Sequence, residues 1–201
     1  PSPRLNFKNV EILSFSENSN NIGSVKKVIL KIPFKKLVSL KALDFDSAEL
    51  INAVINIETS EINNFKNYLN NTVNKKPIQL KKSKINLLDK TNLLFNIDIK
   101  KLRIAGKDSF NKLDLKGRVF DTKIKINYQN KNFDKNPVKK VTISLPKIGL
   151  NIKLSINPDK KNSENTYGKA SVFFPSNQIY FDYILNNKIL NISSSRLINN
   201  Y

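Results

Sequence analysis

The segment Lys139–Asn157, KKVTISLPKIGLNIKLSIN, constrains the fold more than any other part of this chain. Val141, Ile143 and Leu145, then Leu150, Ile152, Leu154 and Ile156, occupy every second position. Thr142, Ser144, Asn151, Lys153 and Ser155 lie between them. In an extended chain successive side chains point to opposite faces. The segment therefore reads as two strands, each with one apolar face and one face of Lys, Asn and Ser. Pro146 and Gly149 interrupt the pattern, so LPKIG is either a tight turn or a kink in one long strand. A hairpin favours a compact domain; a kinked continuous strand favours a curved groove.

The same grammar fills most of the chain. Leu5 and Phe7, then Val10 and Ile12, mark a strand with an irregularity near Asn9. The polar cluster Ser16–Ser24 turns it into a second strand, Val25–Pro33, and the two read as an antiparallel hairpin. Pro33 can open a short helix, with Phe34, Leu37, Val38 and Leu40 at helical spacing. Ala48–Glu58 alternates through Ile51, Ala53, Ile55 and Ile57 and is rich in β-branched residues, which predicts a strand. Thr59–Asn70 predicts a helix. Thr59 or Ser60 can cap it, Glu61 suits its first turn, and Ile62, Phe65, Tyr68 and Leu69 form one stripe. The stripe is narrow, which suits a plug at one end of a sheet better than a membrane-surface helix.

From Pro77 the pattern predicts an antiparallel meander. Ile78 and Leu80 are followed by Ile85 and Leu87; Leu93, Phe95, Ile97 and Ile99 share a face opposite Asn96, Asp98 and Lys100. Gly106–Asn111 reads as a turn. Leu113, Leu115, Gly117 and Val119 alternate, Phe120 falls out of phase, and Ile124, Ile126 and Tyr128 resume, which reads as a β-bulge. Asn130–Pro137 and Asn157–Thr166 read as polar loops. Val172 and Phe174, then Ile179, Phe181, Tyr183 and Leu185, lead to a turn at Asn186-Asn187 and a return strand from Ile189. The expected fold is mainly β, an antiparallel meander forming a curved, rolled sheet or open groove with one or two short helices at an end. It is read as a single β-rich domain over 1–201. Residues 1–58 hold the N-terminal strands and short helix, 59–70 the helix and 77–201 the meander.

Composition narrows the chemistry. With 201 residues the chain can bury a sizeable core. A hydrophobic fraction of 39% and an aromatic fraction of 9% exclude a disordered chain. No Cys is present, which removes disulfides, thiolate metal sites and Cys nucleophiles. No His is present, which removes the usual neutral-pH base and the commonest metal ligand. The chain starts on Pro1 and is expected to be a piece of a longer protein. No apolar run approaches the roughly 20 residues needed to span a bilayer. The net charge of +19 has two readings. One is an anionic partner, a phospholipid surface or nucleic acid. The other is compositional, since Lys, Asn and Ile are over-used together while Arg, the better phosphate reader, is scarce.

Candidate catalytic constellations are weak. Asp44 and Asp46 are two apart and would share a strand face, but a hard cation wants six or more oxygens. Ser193, Ser194 and Ser195 have no His to activate them. KKPIQLKKSK gathers Lys around Pro77 and fits a solvated strand face better than a phosphate contact. Gly106, Gly117 and Gly149 are isolated, so no phosphate loop is present. Aromatics do not interleave with the Lys clusters as a base-stacking platform requires.

Four segments resemble the AsmA-like proteins of Gram-negative envelopes, relatives of TamB and YhdP. They are the LNFKNVEI hairpin, FKKLVSL after KIP, SAELINAVINIETSEINNFKNYLNN, and the meander from KINLLDKTNLLFNIDIKKLRIAGKDSFNKLDLKGRVF to LNNKILNI. The likeness is one of pattern and covers most of the chain. Nothing here matches the inner-membrane helix that such proteins usually carry near the N-terminus. The resemblance implies a rolled sheet with an apolar floor that shields phospholipid acyl chains crossing the periplasm. It implies a periplasmic segment of the cell envelope, anchored to the inner membrane by a segment outside this chain, and no cofactor. The in-phase residues expected to line the groove are Leu113, Leu115, Ile124, Ile126, Val141, Ile143, Leu150, Ile152, Leu154 and Ile156. The expected partners are phospholipid acyl chains, anionic membrane surfaces and envelope proteins, and not nucleic acid. The expected function is non-enzymatic support of lipid transport or outer-membrane homeostasis. The alternative is a structural or adhesive β-repeat module of a cell-surface protein without a ligand.

Overall fold

A computed structural model describes residues 3–13, 21–34, 45–62, 76–107, 110–133, 136–158, 165–186 and 189–199. They form an open sheet of twelve strands that follow one another in chain order, from β1 to β12. The first five are β1 (Arg4–Leu13), β2 (Asn21–Lys31), β3 (Ser47–Glu58), β4 (Ile78–Asp89) and β5 (Asn92–Lys107). Next come β6 (Phe110–Val119), β7 (Thr122–Phe133), β8 (Asn136–Leu145) and β9 (Leu150–Pro158). The last are β10 (Asn165–Phe173), β11 (Asn177–Asn186) and β12 (Ile189–Asn199). β3 and β4 pair in parallel; the other described ladders are antiparallel. Parallel neighbours cannot be joined by a tight hairpin. The chain from Thr59 to Pro77 makes that crossover, opening with a 3₁₀ turn, Thr59–Glu61. Among the described residues the expected Thr59–Asn70 helix is visible only as this turn and one helical residue, Ile62; the rest lies outside them. Of the helix expected after Pro33 only Phe34, a helical residue, is described; Leu37, Val38 and Leu40 lie outside the described residues.

Contacts divide the chain into two compact units: Pro1–Asp108 with Leu115–Asp121, and Ser109–Asp114 with Thr122–Tyr201. In the first unit, residues opposite one another build apolar rows across the strands, since directly paired residues share a face. Leu5, Leu30, Ala48, Ile78 and Ile104 form one row, and Phe7, Val28, Leu50, Leu80 and Leu102 the next. Beyond them lie Val10, Val25 and Ala53, then Ile12, Gly23, Ile55, Ile85 and Ile97.

Between the second and third rows every strand changes phase. β1 goes from Phe7 to Val10, β2 from Val28 to Val25, β4 from Leu80 to Ser83 and β5 from Leu102 to Ile99. The register does not slip: Lys8 pairs with Lys27 on one side and Val10 with Val25 on the other. Ile51 and Ala53 frame the same step on β3, and Lys81–Lys101 and Ser83–Ile99 frame it between β4 and β5. The extra residues are Asn9, Lys26, Asn52, Lys82 and Lys100. Three of them have left-handed backbones, Asn9 at φ 52°, Asn52 at φ 53° and Lys82 at φ 49°. Asn tolerates this region better than most residues, and Lys pays for it in strain. The step is stitched by Ser83. Its Oγ accepts the Ala53 amide at 3.0 Å and donates to the Lys81 carbonyl at 2.9 Å. A phase step bends a strand. Burial peaks beside this line: Val25 and Ala53 are 1% exposed and Ile99 2%.

The irregularity expected near Asn9 is thus one end of a line crossing five strands. Other expectations need correction. Phe120 is not a bulge. β6 ends at Val119, β7 starts at Thr122, and Phe120 and Asp121 form a two-residue turn with φ 46° and 60°. That is the left-handed pair required by a type I′ hairpin. Leu93 leaves the face of Phe95, Ile97 and Ile99, because a register shift sets it opposite Leu88. The expected loop Asn130–Pro137 is mostly strand, with β7 running to Phe133 and β8 starting at Asn136. The turn at Gly106 is narrower, since β5 continues to Lys107. LPKIG is a hairpin turn. Leu145 pairs with Leu150, the Ile148 amide donates to the Leu145 carbonyl at 3.2 Å, and Gly149 takes φ 68°.

Candidate functional site

The second unit keeps its alternation unbroken from β7 to β11. Ile126 pairs with Ile143, Ile143 with Ile152, Ile152 with Val172, Val172 with Ile179, and Ile179 with Leu197. This row crosses six strands, and none of its side chains is buried; Leu197 is 61% exposed. Beside it run Tyr128, Val141, Leu154, Ala170 and Phe181, of which only Ala170 is buried. A third row holds Ile156, Gly168, Tyr183 and Ile192. Strands spaced about 4.8 Å apart make these rows a continuous apolar surface.

Of the residues expected to line a groove, Ile126, Ile143 and Ile152 are brought side by side, as are Val141 and Leu154. Ile124 is two residues from Ile126 on β7 and shares its face; Leu150 sits opposite Leu145. Ile156 faces Lys139 on one neighbour and Gly168 on the other. Leu113 and Leu115 lie on β6, where Leu113 is half-buried and Leu115, part of the first unit, is 7% exposed. The surface extends further than expected, through Val172, Ile179, Phe181 and Leu197. Their signal is the same alternation carried into the C-terminal strands.

The third row has its own local design. A Cβ at residue 168 would collide with the Tyr183 ring and the Ser155 carbonyl, so only Gly fits under that ring. The Tyr183 hydroxyl donates to the Ser155 carbonyl at 3.3 Å, bridging β11 to β9 over the glycine. Burial raises the pKa of Tyr183, and likewise that of Tyr128. The row turns polar toward β7, where Lys139 pairs with Asn130. The Asn130 Oδ1 atom is buried with no hydrogen-bond partner among the described residues.

The opposite face is wet. Asn127 donates to Asp114, and Ser144 donates to the Asn151 side chain at 2.8 Å. Lys153 Nζ sits 4.8 Å from the centroid of Phe173, whose ring meets Tyr180 edge-on at 5.8 Å. Aromatics and Lys therefore do interleave in space here, although they come from β9, β10 and β11 and stand apart in the sequence. In the first unit, Lys81 pairs with Glu49 at 2.7 Å and Lys84 with Asp98 at 3.5 Å. Lys76, from the Lys-rich run around Pro77, lies 4.5 Å from the Phe45 ring centroid.

The candidate reactive groups stay apart. Asp44 lies outside the described residues, and among those described no three carboxylates gather to hold a metal. The Ser193 hydroxyl donates to the Asp182 carbonyl at 3.4 Å, an ordinary cross-strand contact. No helix of the described residues is long and apolar enough to cross a membrane. The fold and this surface define a class, an open, mostly antiparallel β-sheet protein with one apolar face. Comparison with protein-family models, curated protein sequences and solved structures finds no match to this chain.

Proposed function

We propose that this chain is a non-enzymatic, periplasmic segment of an AsmA-like envelope protein, held to the inner membrane by a segment outside it. Its apolar sheet face shields phospholipid acyl chains in support of lipid transport or outer-membrane homeostasis. One observation carries this reading: the six-strand row from Ile126 to Leu197, in which no side chain is buried. Contiguous exposed apolar surface is unusual on a soluble monomer and marks a binding surface. An apolar row offers no hydrogen bond to fix a ligand, which suits chains that slide. Each methylene covered by such a face gains roughly 0.8 kcal/mol. The wet face and the charge of +19 suit anionic membrane surfaces and envelope partners.

The competing reading is a structural or adhesive β-module without a ligand, and the closed rows around Val25, Ala53 and Ile99 favour it. Native mass spectrometry of the protein gently extracted from a Gram-negative host separates the two. Co-purifying phospholipid that is lost on Ile143→Asp/Ile152→Asp substitution is the expected result. A lipid-free protein would leave the ligandless module standing.

A further inference from the structure

The wet face of the second unit holds a depression of about 250 Å³ that the apolar surface does not use. Lys140, Lys153 and Lys169 line it, from β8, β9 and β10, together with Thr142, Ser155, Ser171 and Tyr180; Val141, Leu154 and Ala170, between them on the same strands, also border it. The register explains the convergence. Lys140 pairs with Ser155 and Ser155 with Lys169, so the two lysines flank one serine. They stand two strand spacings apart, about 9–10 Å between backbones. Lys153 lies two residues along β9 from Ser155, about 7 Å away and on the same face. The three ammonium groups thus rise from one patch of the wet face.

Little at the site neutralises them. Lys169 has Asp182 at 3.9 Å, a loose pair. Lys153 leans on the Phe173 ring, which holds its charge over the face without cancelling it. Lys140 has no ion pair among the described residues. The Ser155 hydroxyl is occupied, donating to the Lys169 carbonyl and accepting its amide, both at 3.3 Å. The Thr142 and Ser171 hydroxyls flank Lys153 on either side. Three ammonium groups on one patch repel one another, and an anion seated between them relieves that repulsion. We propose that this depression binds a phosphate group, contacted by the three lysines and the two hydroxyls. Three point-charge donors suit a tetrahedral, multiply charged oxyanion better than a planar carboxylate. The volume falls below the range of about 300–1,000 Å³ typical of pockets for larger organic ligands, which points to the phosphate group itself and not a nucleotide. Its source is a free phosphate or a lipid headgroup. The site lies on the face opposite the acyl-chain surface and does not depend on that proposal.

The test titrates inorganic phosphate into the whole chain at constant ionic strength, following amide shifts in ¹H–¹⁵N spectra. A parallel arm floats the protein with vesicles of phosphatidic acid or phosphatidylcholine. The variants are Lys140→Gln/Lys153→Gln/Lys169→Gln and, as an equal-charge control, Lys8→Gln/Lys27→Gln/Lys101→Gln. The expected result is saturable shifts confined to the site. Affinity should fall roughly tenfold per lysine removed there and stay near wild type in the control. Loss of phosphatidic acid flotation in the site variant alone adds the headgroup as the source. Phosphate binding without flotation assigns free phosphate. Unsaturable or scattered shifts, equal losses in both variants, or binding of a short RNA without binding of phosphate would overturn the proposal.

Discussion

The two units share an alphabet and differ in one device. In β1–β5 the alternation steps once per strand, all on the line Asn9, Lys26, Asn52, Lys82 and Lys100. In β7–β11 it never steps. The stepped sheet buries Val25, Ala53, Leu80, Ile99 and Leu102 in the rows beside the step, although Phe7 at their edge stays 43% exposed; the unstepped sheet leaves a whole apolar row half-buried or exposed. Apolar content therefore does not decide which face closes. Burial gathers beside the step, and an unstepped alternation needs something else to cover it.

The largest expected effect is a contrast in stability. Ile99→Ala, in the closed rows, should cost about 2–5 kcal/mol in urea unfolding. Ile152→Ala, on the half-exposed row, should cost only about 1 kcal/mol, because less area leaves water there on folding. Equal losses would break the comparison. A smaller effect sharpens it. Ser83→Ala leaves the Ala53 amide at the step without its acceptor and should cost about 1–3 kcal/mol. Ser144→Ala, on the wet face of the second unit, should stay within roughly 0.5–1 kcal/mol. If Ser83→Ala were as mild, the step would not depend on its stitch.

Much of this was legible in the sequence because a period of two is written locally. The strands of the second unit, the parity break at Asn9 and the strand at Ala48–Glu58 all follow from it. The break between Leu80 and Ile85 is visible too, but its alignment with Asn9 and Asn52 depends on pairing between distant strands. Phe120 reads as a bulge in the sequence because a two-residue turn and a bulge shift the phase alike, and VFDT lacks the Asn-Gly that usually marks the turn. Asn130–Pro137 looked like a loop for its polarity, yet an antiparallel ladder can extend past its apolar residues on backbone hydrogen bonds alone. The lysine depression is invisible in the linear chain, since its residues come from three strands and meet only through register. Ile126, Ile143 and Ile152 carry the alternation in the sequence, and Val172 and Ile179 carry the same signal in later strands; that they form one row depends on register.

The central claim is that the apolar face of the second unit takes up acyl chains. Photo-crosslinking in cells from a reactive side chain at Ile152, with Lys125 on the wet face as control, tests it most directly. Ile152 is half-buried on the apolar row and Lys125 is exposed on β7. The account predicts strong phospholipid labelling from position 152 and background labelling from position 125. Equal labelling at both positions, or none at 152, would contradict it.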